Sequence, residues 1–419
     1  MRTVQAWAPY PVGQPVPAGP GYARRWYVVG PDRHPAAPVL TAAGDGAPRA
    51  GAGTAVLLGT EFTPADNALL ATGVRAAVRR GGRLVLLHLG AGGASLVRAA
   101  LGENRALRGL TVELPARPSA AALASAARLA TGDVSTAVEL RVDQQGRVTG
   151  TGWRPVRLPD PVPGGAGPGL AVITGGLGGL GIRVAGVLAE RDHLHPVLVD
   201  RGDPDELPPA TARYLSCLSG GPTGVTVRRA DLTVPAQAAA ALVGLPGPVR
   251  VLVHCAGVMC HGPASGYAPE ELAAAQAVKV AGLANTLAAI DSRRLRSLVV
   301  FGSMLAERPP HTLGGYALAN ELLRRAVPRL TAGLPGTDAV VAQWSIWSGA
   351  GMAHDLAVLP QARAMGLVPV SLRPGLRALR QLVGGGVSGP LMLLGAEGNL
   401  EEGGTGTPTY GRRGRGGLA

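Results

Sequence analysis

The chain has 419 residues, 46% of them hydrophobic and only 3% aromatic, with a formal net charge of +13. That length suits two compact units, and the scarcity of aromatics leaves aliphatic side chains to fill their cores. The arginines are scattered, aromatic platforms are few and no apolar run approaches a membrane-spanning length, which excludes a nucleic-acid binder and a membrane protein.

Residues 1–50 open with short strand-like pieces, Val4 to Trp7 and Arg25 to Val29, between Pro/Gly turns, and Met1 to Trp7 lacks the apolar core of a signal peptide. The periodicity then predicts strands at Ala55–Leu58, Arg83–Leu87, Leu110–Leu114 and Ala137–Val142. Helices are predicted at Ala65–Arg80, Ala94–Leu101 and Ser119–Ala130. Strands alternating with helices imply a parallel sheet. The first of these strands runs into Gly59-Thr60-Glu61-Phe62 without a Gly-x-Gly turn, so this half is expected to bind no dinucleotide.

A Pro/Gly-rich stretch, Pro159 to Gly169, reads as a linker. Beyond it, the strand Leu170–Ile173 enters Thr174-Gly175-Gly176-Leu177-Gly178-Gly179-Leu180-Gly181 and a helix from Ile182 to Glu190. Further strands are predicted at Pro196–Asp200, Val225–Arg228, Val249–His254, Ser297–Gly302 and Ala339–Trp344, the order of a doubly wound fold. After residue 385 the pattern decays into Gly-rich sequence, and the basic end around Arg412, Arg413 and Arg415 reads as disordered. Cys217, Cys255 and Cys260 are odd in number and lack metal-ligand spacing, which points to a reducing, cytoplasmic setting and no metal.

The glycine turn between strand and helix lets backbone N–H groups and the helix dipole meet a pyrophosphate, through Gly175, Gly178 and Gly181 above all. At the ribose end stand Asp200, which favours a free 2′-hydroxyl, and Arg201, which favours a 2′-phosphate; the reading leans to NADPH, with Asp200 turned aside. Asp231 is placed to reach adenine or to cap a loop.

Ser303 ends a strand, while Tyr316 and Asn320 share one face of a helix. Lys279, the single lysine of the chain, falls on a long helix from Pro269 to Ala289. Ketone reduction needs a proton donor on the carbonyl oxygen, and a tyrosine whose pKa is lowered by a neighbouring ammonium could serve. On this reading Tyr316 donates the proton, Lys279 activates it, Ser303 holds the carbonyl, and Asn320 orients Lys279 or a relay water. Each also has a plain structural alternative as packing, cap or solvated residue, and Lys279 could be a chance survivor.

The glycine loop, His254-Cys255-Ala256-Gly257-Val258, Lys279 to Asn285, and the Ser303/Tyr316/Asn320 set together resemble the ketoreductase domains of type I polyketide synthases, within the short-chain dehydrogenase/reductase superfamily. These domains exchange the Lys and Asn positions of the superfamily, as this chain does. The resemblance implies an α/β fold of two Rossmann-like subdomains. Residues 1–160 would be a degenerate structural one, 161–169 the linker, 170–395 the catalytic doubly wound one and 396–419 the basic tail. It implies NADPH held by the loop from Thr174 to Gly181, by Asp200, Arg201, Asp231 and Leu232, by His254 to Gly257, and by Lys279 and Tyr316. An acyl carrier protein bearing a β-ketoacyl chain and other synthase domains would be the partners.

Trp7-Ala8-Pro9 is similar to the family's opening strand, Ala353 to Val368 to its substrate lid, and Gln343 to Met352 leans toward iterative, enediyne-like synthases. Met259-Cys260-His261 and Arg308 stand where the stereochemical classes carry Leu-Asp-Asp or Trp, so product configuration is unreadable. Two alternatives stay open: a free-standing short-chain reductase or alcohol dehydrogenase acting on a small ketone, and a dinucleotide-binding scaffold without catalysis.

Overall fold

Short apolar runs and helical periodicities alternate along most of the chain, and the backbone follows them. The computed structural model describes residues 4–16, 24–31, 33–42, 51–132, 138–162, 166–351, 359–360 and 367–395. In the N-terminal half lie β1 (Gln5–Gln14), β2 (Arg24–Val29), β3 (Gly51–Leu58), β4 (Arg83–His88), β5 (Arg108–Glu113), β6 (Val138–Val142) and β7 (Val148–Val156). The second half adds β8 (Leu170–Thr174), β9 (His195–Asp200), β10 (Thr226–Arg229), β11 (Val249–His254), β12 (Ser297–Ser303), β13 (Asp338–Trp344), β14 (Trp347–Ser348), β15 (Val370–Ser371) and β16 (Gly389–Leu394).

Fourteen of these strands form one sheet, ordered β10-β9-β8-β11-β12-β13-β16-β1-β7-β6-β5-β4-β3-β2. The chain runs outward from β8 to β10, returns to β11 and continues the other way, so the order reverses between β8 and β11 and opens a crevice at their carboxyl ends. From β2 to β6 the strands are parallel and run in one direction, without such a reversal.

Three expectations are corrected here. The segment after residue 385 does not simply decay, because Gly389–Leu394 is a central strand. It pairs parallel with β13 and antiparallel with β1, and Leu391 to Leu394 are buried. Only four apolar residues carry that strand and glycines flank it, which hid it. The opening strand continues to Gln14 through Pro9 and Pro11, paired with the unanticipated β7. Past Trp7 it pairs with β7 alone among the described residues, so prolines lacking N–H are tolerated on its other side. Finally, Pro269–Ala289 is long and apolar enough to cross a membrane by length and composition, although it packs inside this fold. The expected tail at 396–419 and, within the expected lid at 353–368, positions 353–358 and 361–366 lie outside the described residues.

What fixes the two halves to one another is a buried ionic junction. The helix Gly314–Leu330 carries Glu321, which is fully buried and accepts from Gly93 and Ala94 N through Oε1 (3.0 and 3.3 Å) and from Ser95 N through Oε2 (2.7 Å). Those amides open the helix Ala94–Glu103, so a protein carboxylate fills the N-terminus where an anion would dock. One turn on, Arg325 pairs with Glu321, Glu113 and Glu139 at 3.2, 3.0 and 2.8 Å, and Arg98 pairs with Glu139 at 2.7 Å.

His88, Glu113 and Glu139 bring potential metal ligands within 4.8 Å of one another. His88 Nδ1, however, accepts from Gly90 and Gly92 N at 3.2 and 3.3 Å, which leaves the ring proton on Nε2. The Arg325 guanidinium therefore supplies the positive charge of this cluster.

Acid should destabilise the fold in two stages. Burial above all, helped by Arg325 and Lys279, depresses the neutral His88 to about 4 and His254 to about 3 from the ordinary 6.5. Between those values and 6.5 the unfolded chain binds protons that the folded chain does not, so stability falls as pH drops from 6.5 toward 4. For His88 the span corresponds to on the order of 3 kcal/mol. Desolvation opposes ionisation of Glu139, Glu113 and Glu321, but Arg98 and Arg325 outweigh it and hold all three below their usual range. Their contribution is complete above about pH 4.5 and disappears as pH falls through the folded values. Urea midpoints measured from pH 7 to 3 check this, and a midpoint constant down to pH 4.5 would refute the buried neutral histidines.

Candidate active site

The crevice at the β8/β11 reversal is a cleft of about 500 Å³, lined by the glycine loop, the ends of β9 and β10, and Cys255 to Val258. β8 is buried along its length and runs into Gly175, whose φ of +64° suits glycine. A Cβ there would lie 2.9 Å from the Ala256 backbone, and one on Gly181 would fall 2.2 Å from Gly175 O. The loop thus packs against itself and β11 so closely that side chains are barred. The helix Gly181–Asp192 that follows carries no side-chain cap; Ile182 N donates to Gly178 O at 3.1 Å, and Gly179, Leu180 and Gly181 at its start line the cleft.

At the ribose end the two messages separate. Asp200 Oδ2 accepts from Leu177 N at 3.1 Å and Oδ1 from Gly202 N at 3.0 Å, so its carboxylate braces the glycine loop. Arg201 is exposed and lines the cleft. Asp231 also lines it, with Oδ1 accepting from Thr233 N and Oγ1 at 2.9 and 2.7 Å, bonds that hold its carboxyl below the usual value.

Gly175, Gly178, Gly179, Leu180, Gly181, Asp200, Arg201, Asp231, Leu232, Cys255, Ala256 and Gly257 all face the cleft as expected of a cofactor site. Thr174, Gly176, Leu177, His254, Lys279 and Tyr316 do not line the cleft itself. His254 is fully buried beneath it: Nε2 donates to Lys279 O at 3.0 Å, and Nδ1 meets Thr174 Oγ1 at 2.8 Å. Phe301, Gly351 and Thr233 line the cleft and were missed. Phe301 was findable, because it precedes Ser303 by two in a strand and shares its face.

Ser303, Tyr316 and Asn320 meet at the carboxyl end of β12. Burial pushes the Tyr316 phenol above its ordinary value, and side-chain hydrogen bonds with Asn320 and Ser303 partly counter that. Ser303 Oγ also accepts from Leu305 N at 3.2 Å, and Asn320 Nδ2 donates to Tyr316 O at 2.9 Å. The following turn is held from the N-terminal half, since Ala306 O accepts from Ser95 Oγ at 2.6 Å and Arg98 Nη2 at 2.7 Å.

Lys279 departs from expectation. The long helix is α-helical over Pro269–Gln276, widens to a π-turn over Ala277–Ala281 and resumes over Gly282–Ala289, with Lys279 inside the wide turn. There Nζ donates to Phe301 O at 2.8 Å, and the ammonium is not among the influences on the Tyr316 phenol. The expected lowering of the phenol by Lys279 is therefore corrected. Desolvation instead lowers Lys279 itself to about 8, with Cys255 opposing.

The KR domain family model matches residues 169–349. Polyketide synthase GfsA of Streptomyces halstedii is 37% identical over 188 residues, which is 44% of this chain and 2% of that protein. Erythronolide synthase EryA3 of Saccharopolyspora erythraea is 33% identical over 222 residues, 52% of this chain and 7% of that one. The chain thus spans a small fraction of these relatives. Among solved structures, the ketoreductase PlmKR1 from the first module of phoslactomycin biosynthesis in Streptomyces sp. HK803 superposes with a TM-score of 0.77 at 24% identity, covering 94% of each chain. An A1-type ketoreductase does so with a TM-score of 0.74 at 24% identity, covering 94% of this chain and 93% of its own. Both superpositions embrace the N-terminal half as well, and they show the fold.

One lysine in the sequence makes its titration directly observable. In ¹⁵N- and ¹³C-labelled protein, the Lys279 side-chain resonances should titrate with a midpoint near 8, well below the ordinary 10.5. A midpoint of 10 or above would contradict the buried placement at Phe301 O.

Proposed function

We propose that the chain, whose residues 169–349 match the KR domain family model, reduces a β-ketoacyl thioester on an acyl carrier protein to the β-hydroxy product, using NADPH. The observation that carries this reading is the meeting of Ser303, Tyr316 and Asn320 beside a glycine-loop crevice. The polyketide synthase relatives support the carrier-bound substrate.

The glycine cradle and the uncapped helix fit a pyrophosphate. Because Asp200 is committed to Leu177 and Gly202, the 2′ position falls to the exposed Arg201, which suits a phosphate and hence NADPH. When bound there, the dinucleotide supplies hydride to the ketone carbon. Ser303 would donate a hydrogen bond to the carbonyl oxygen, and Tyr316 would release its proton to that oxygen as negative charge develops. The raised phenol stays protonated at neutral pH, the state a donor requires. Asn320 Oδ1 accepts no hydrogen bond among the described residues and is available to a relay water that restores the phenol. Lys279 adds positive charge below the cleft without bonding to the phenol.

The decisive assay incubates the protein with NADPH and a panel of β-ketoacyl thioesters and resolves the hydroxy product by chiral chromatography. Tyr316→Phe should leave NADPH binding and melting temperature nearly unchanged while lowering turnover by about 10²–10⁴-fold. A near-normal rate in that variant would sink the site assignment.

Cofactor choice is tested separately. NADPH should bind more tightly than NADH, and Arg201→Ala should narrow the gap by on the order of 1–3 kcal/mol, the range of a charge-assisted hydrogen bond. Equal affinities in the unmodified protein would show that Arg201 does not read the 2′-phosphate.

A further inference from the structure

We propose that Glu103, the last residue of the helix Ala94–Glu103 in the N-terminal half, is a positioning residue that sets the substrate mouth of the catalytic half; this rests on the reductase reading. Two loops leave the carboxyl edge of the sheet from the neighbouring parallel strands β11 and β12, the second starting just past Ser303. One follows β11 and includes His261 to Tyr267; the other follows β12 and ends at Thr312, just before the helix that carries Tyr316. The carboxylate of Glu103 joins them, with Oε2 accepting from Ala264 N and Oε1 from Thr312 N, both at 2.8 Å.

The loops are closed on one another at the same place. Gly262 N donates to Thr312 O at 2.8 Å, Tyr267 Oη donates to Thr312 O at 3.1 Å and Cys260 O at 3.3 Å, and Thr312 Oγ1 meets His261 Nε2 at 2.9 Å. Thr312 has a φ of +65°, in the left-handed region where a β-branched residue is an outlier. Such a conformation persists only where its surroundings over-determine it, and here the amide of that residue is held from the other half of the molecule.

A carboxylate suits the post, because it only accepts and its two oxygens can serve two amides from two different loops. A glutamine keeps one acceptor and turns an N–H toward the second amide. The other end of the same helix is fixed by Glu321, which belongs to the Tyr316 helix. The helix is therefore a strut of constant length between the proton donor and the mouth, and Glu103 transmits that length to both walls.

The test compares the unmodified protein with Glu103→Gln, Glu103→Ala and Glu103→Ala combined with Thr312→Gly, on one β-ketoacyl thioester. Glu103→Ala should raise KM on the order of tenfold or more, the worth of hydrogen bonds to a charged group, and should mix the configurations of the alcohol. Dinucleotide affinity should stay unchanged and kcat should change less than KM. Glu103→Gln should fall between, and Thr312→Gly should restore part of the KM, since glycine adopts the left-handed conformation without the clamp.

Unchanged KM and unchanged configuration in Glu103→Ala, even with a lower melting temperature, would overturn the proposal and leave the reductase reading intact. If the unmodified protein reduces no thioester, the reading fails, and amide exchange decides the clamp. Faster exchange at Ala264 and Thr312 in Glu103→Gln supports it, and unaltered exchange overturns it.

Discussion

Everything in this molecule leans on one buried carboxylate. Glu321 is fully removed from water, and a lone charge so placed would cost several kcal/mol. Three amides at a helix N-terminus, the dipole behind them and the Arg325 guanidinium offset that penalty together. None of those partners lies in the crevice. Four come from the N-terminal half or the next turn of the same helix, so the helix carrying Tyr316 and Asn320 cannot shift against that half without stranding a charge. The N-terminal half therefore acts on the site by holding it, while its own helix N-terminus is filled by protein.

The same logic extends to smaller contacts. Gly314 approaches the strut so closely that a Cβ would lie 2.8 Å from Ala99 Cβ, and Ser95 and Arg98 fix the Ala306 carbonyl three residues after Ser303. Asn67 and Gln276 exchange reciprocal amide bonds at 3.1 and 2.7 Å, tying the helix of Lys279 to the helix Pro64–Arg80. The halves share a sheet through β16, but the sheet alone would leave these helices free to slide. Polar pairs of defined geometry remove that freedom.

The sequence carried the crevice more legibly than its supports. Glycines in a strand-turn-helix setting, and Tyr316 and Asn320 one helical turn apart, are local patterns, and local patterns survive in a single sequence. Glu321, Arg325, Arg98 and Glu139 are individual charges whose partners lie up to 228 residues away, in a chain where arginine is everywhere, so no spacing announces them. β16 was lost because four apolar residues among glycines resemble a loop. The Asp200/Arg201 ambiguity was visible from the start. Only the backbone, by offering Leu177 and Gly202 amides to the carboxylate, separated the two side chains.

The π-turn explains what the sequence could not, namely why a single lysine persists at position 279. A π-turn displaces its residues from the regular helical track, and His254, by donating to Lys279 O, secures that turn from below. The lysine stem then passes under Gly257, where a Cβ would lie 2.8 Å from Cε and 3.0 Å from Nζ, and its tip reaches Phe301 O. An arginine would bring five N–H donors to a buried position where the lysine tip donates to Phe301 O. Burial also lowers the ammonium to about 8, so the charge beneath the cleft can respond to its occupant, a latitude denied to an arginine. The tyrosine moves in the opposite direction, so near neutral pH the lysine is mostly charged and the phenol neutral. In the proposed reduction an alkoxide would be a far stronger base than a phenolate, so the raised phenol would still release its proton downhill. The site then needs no permanently ionised tyrosine, only one whose hydroxyl is aimed by Ser303 and Asn320.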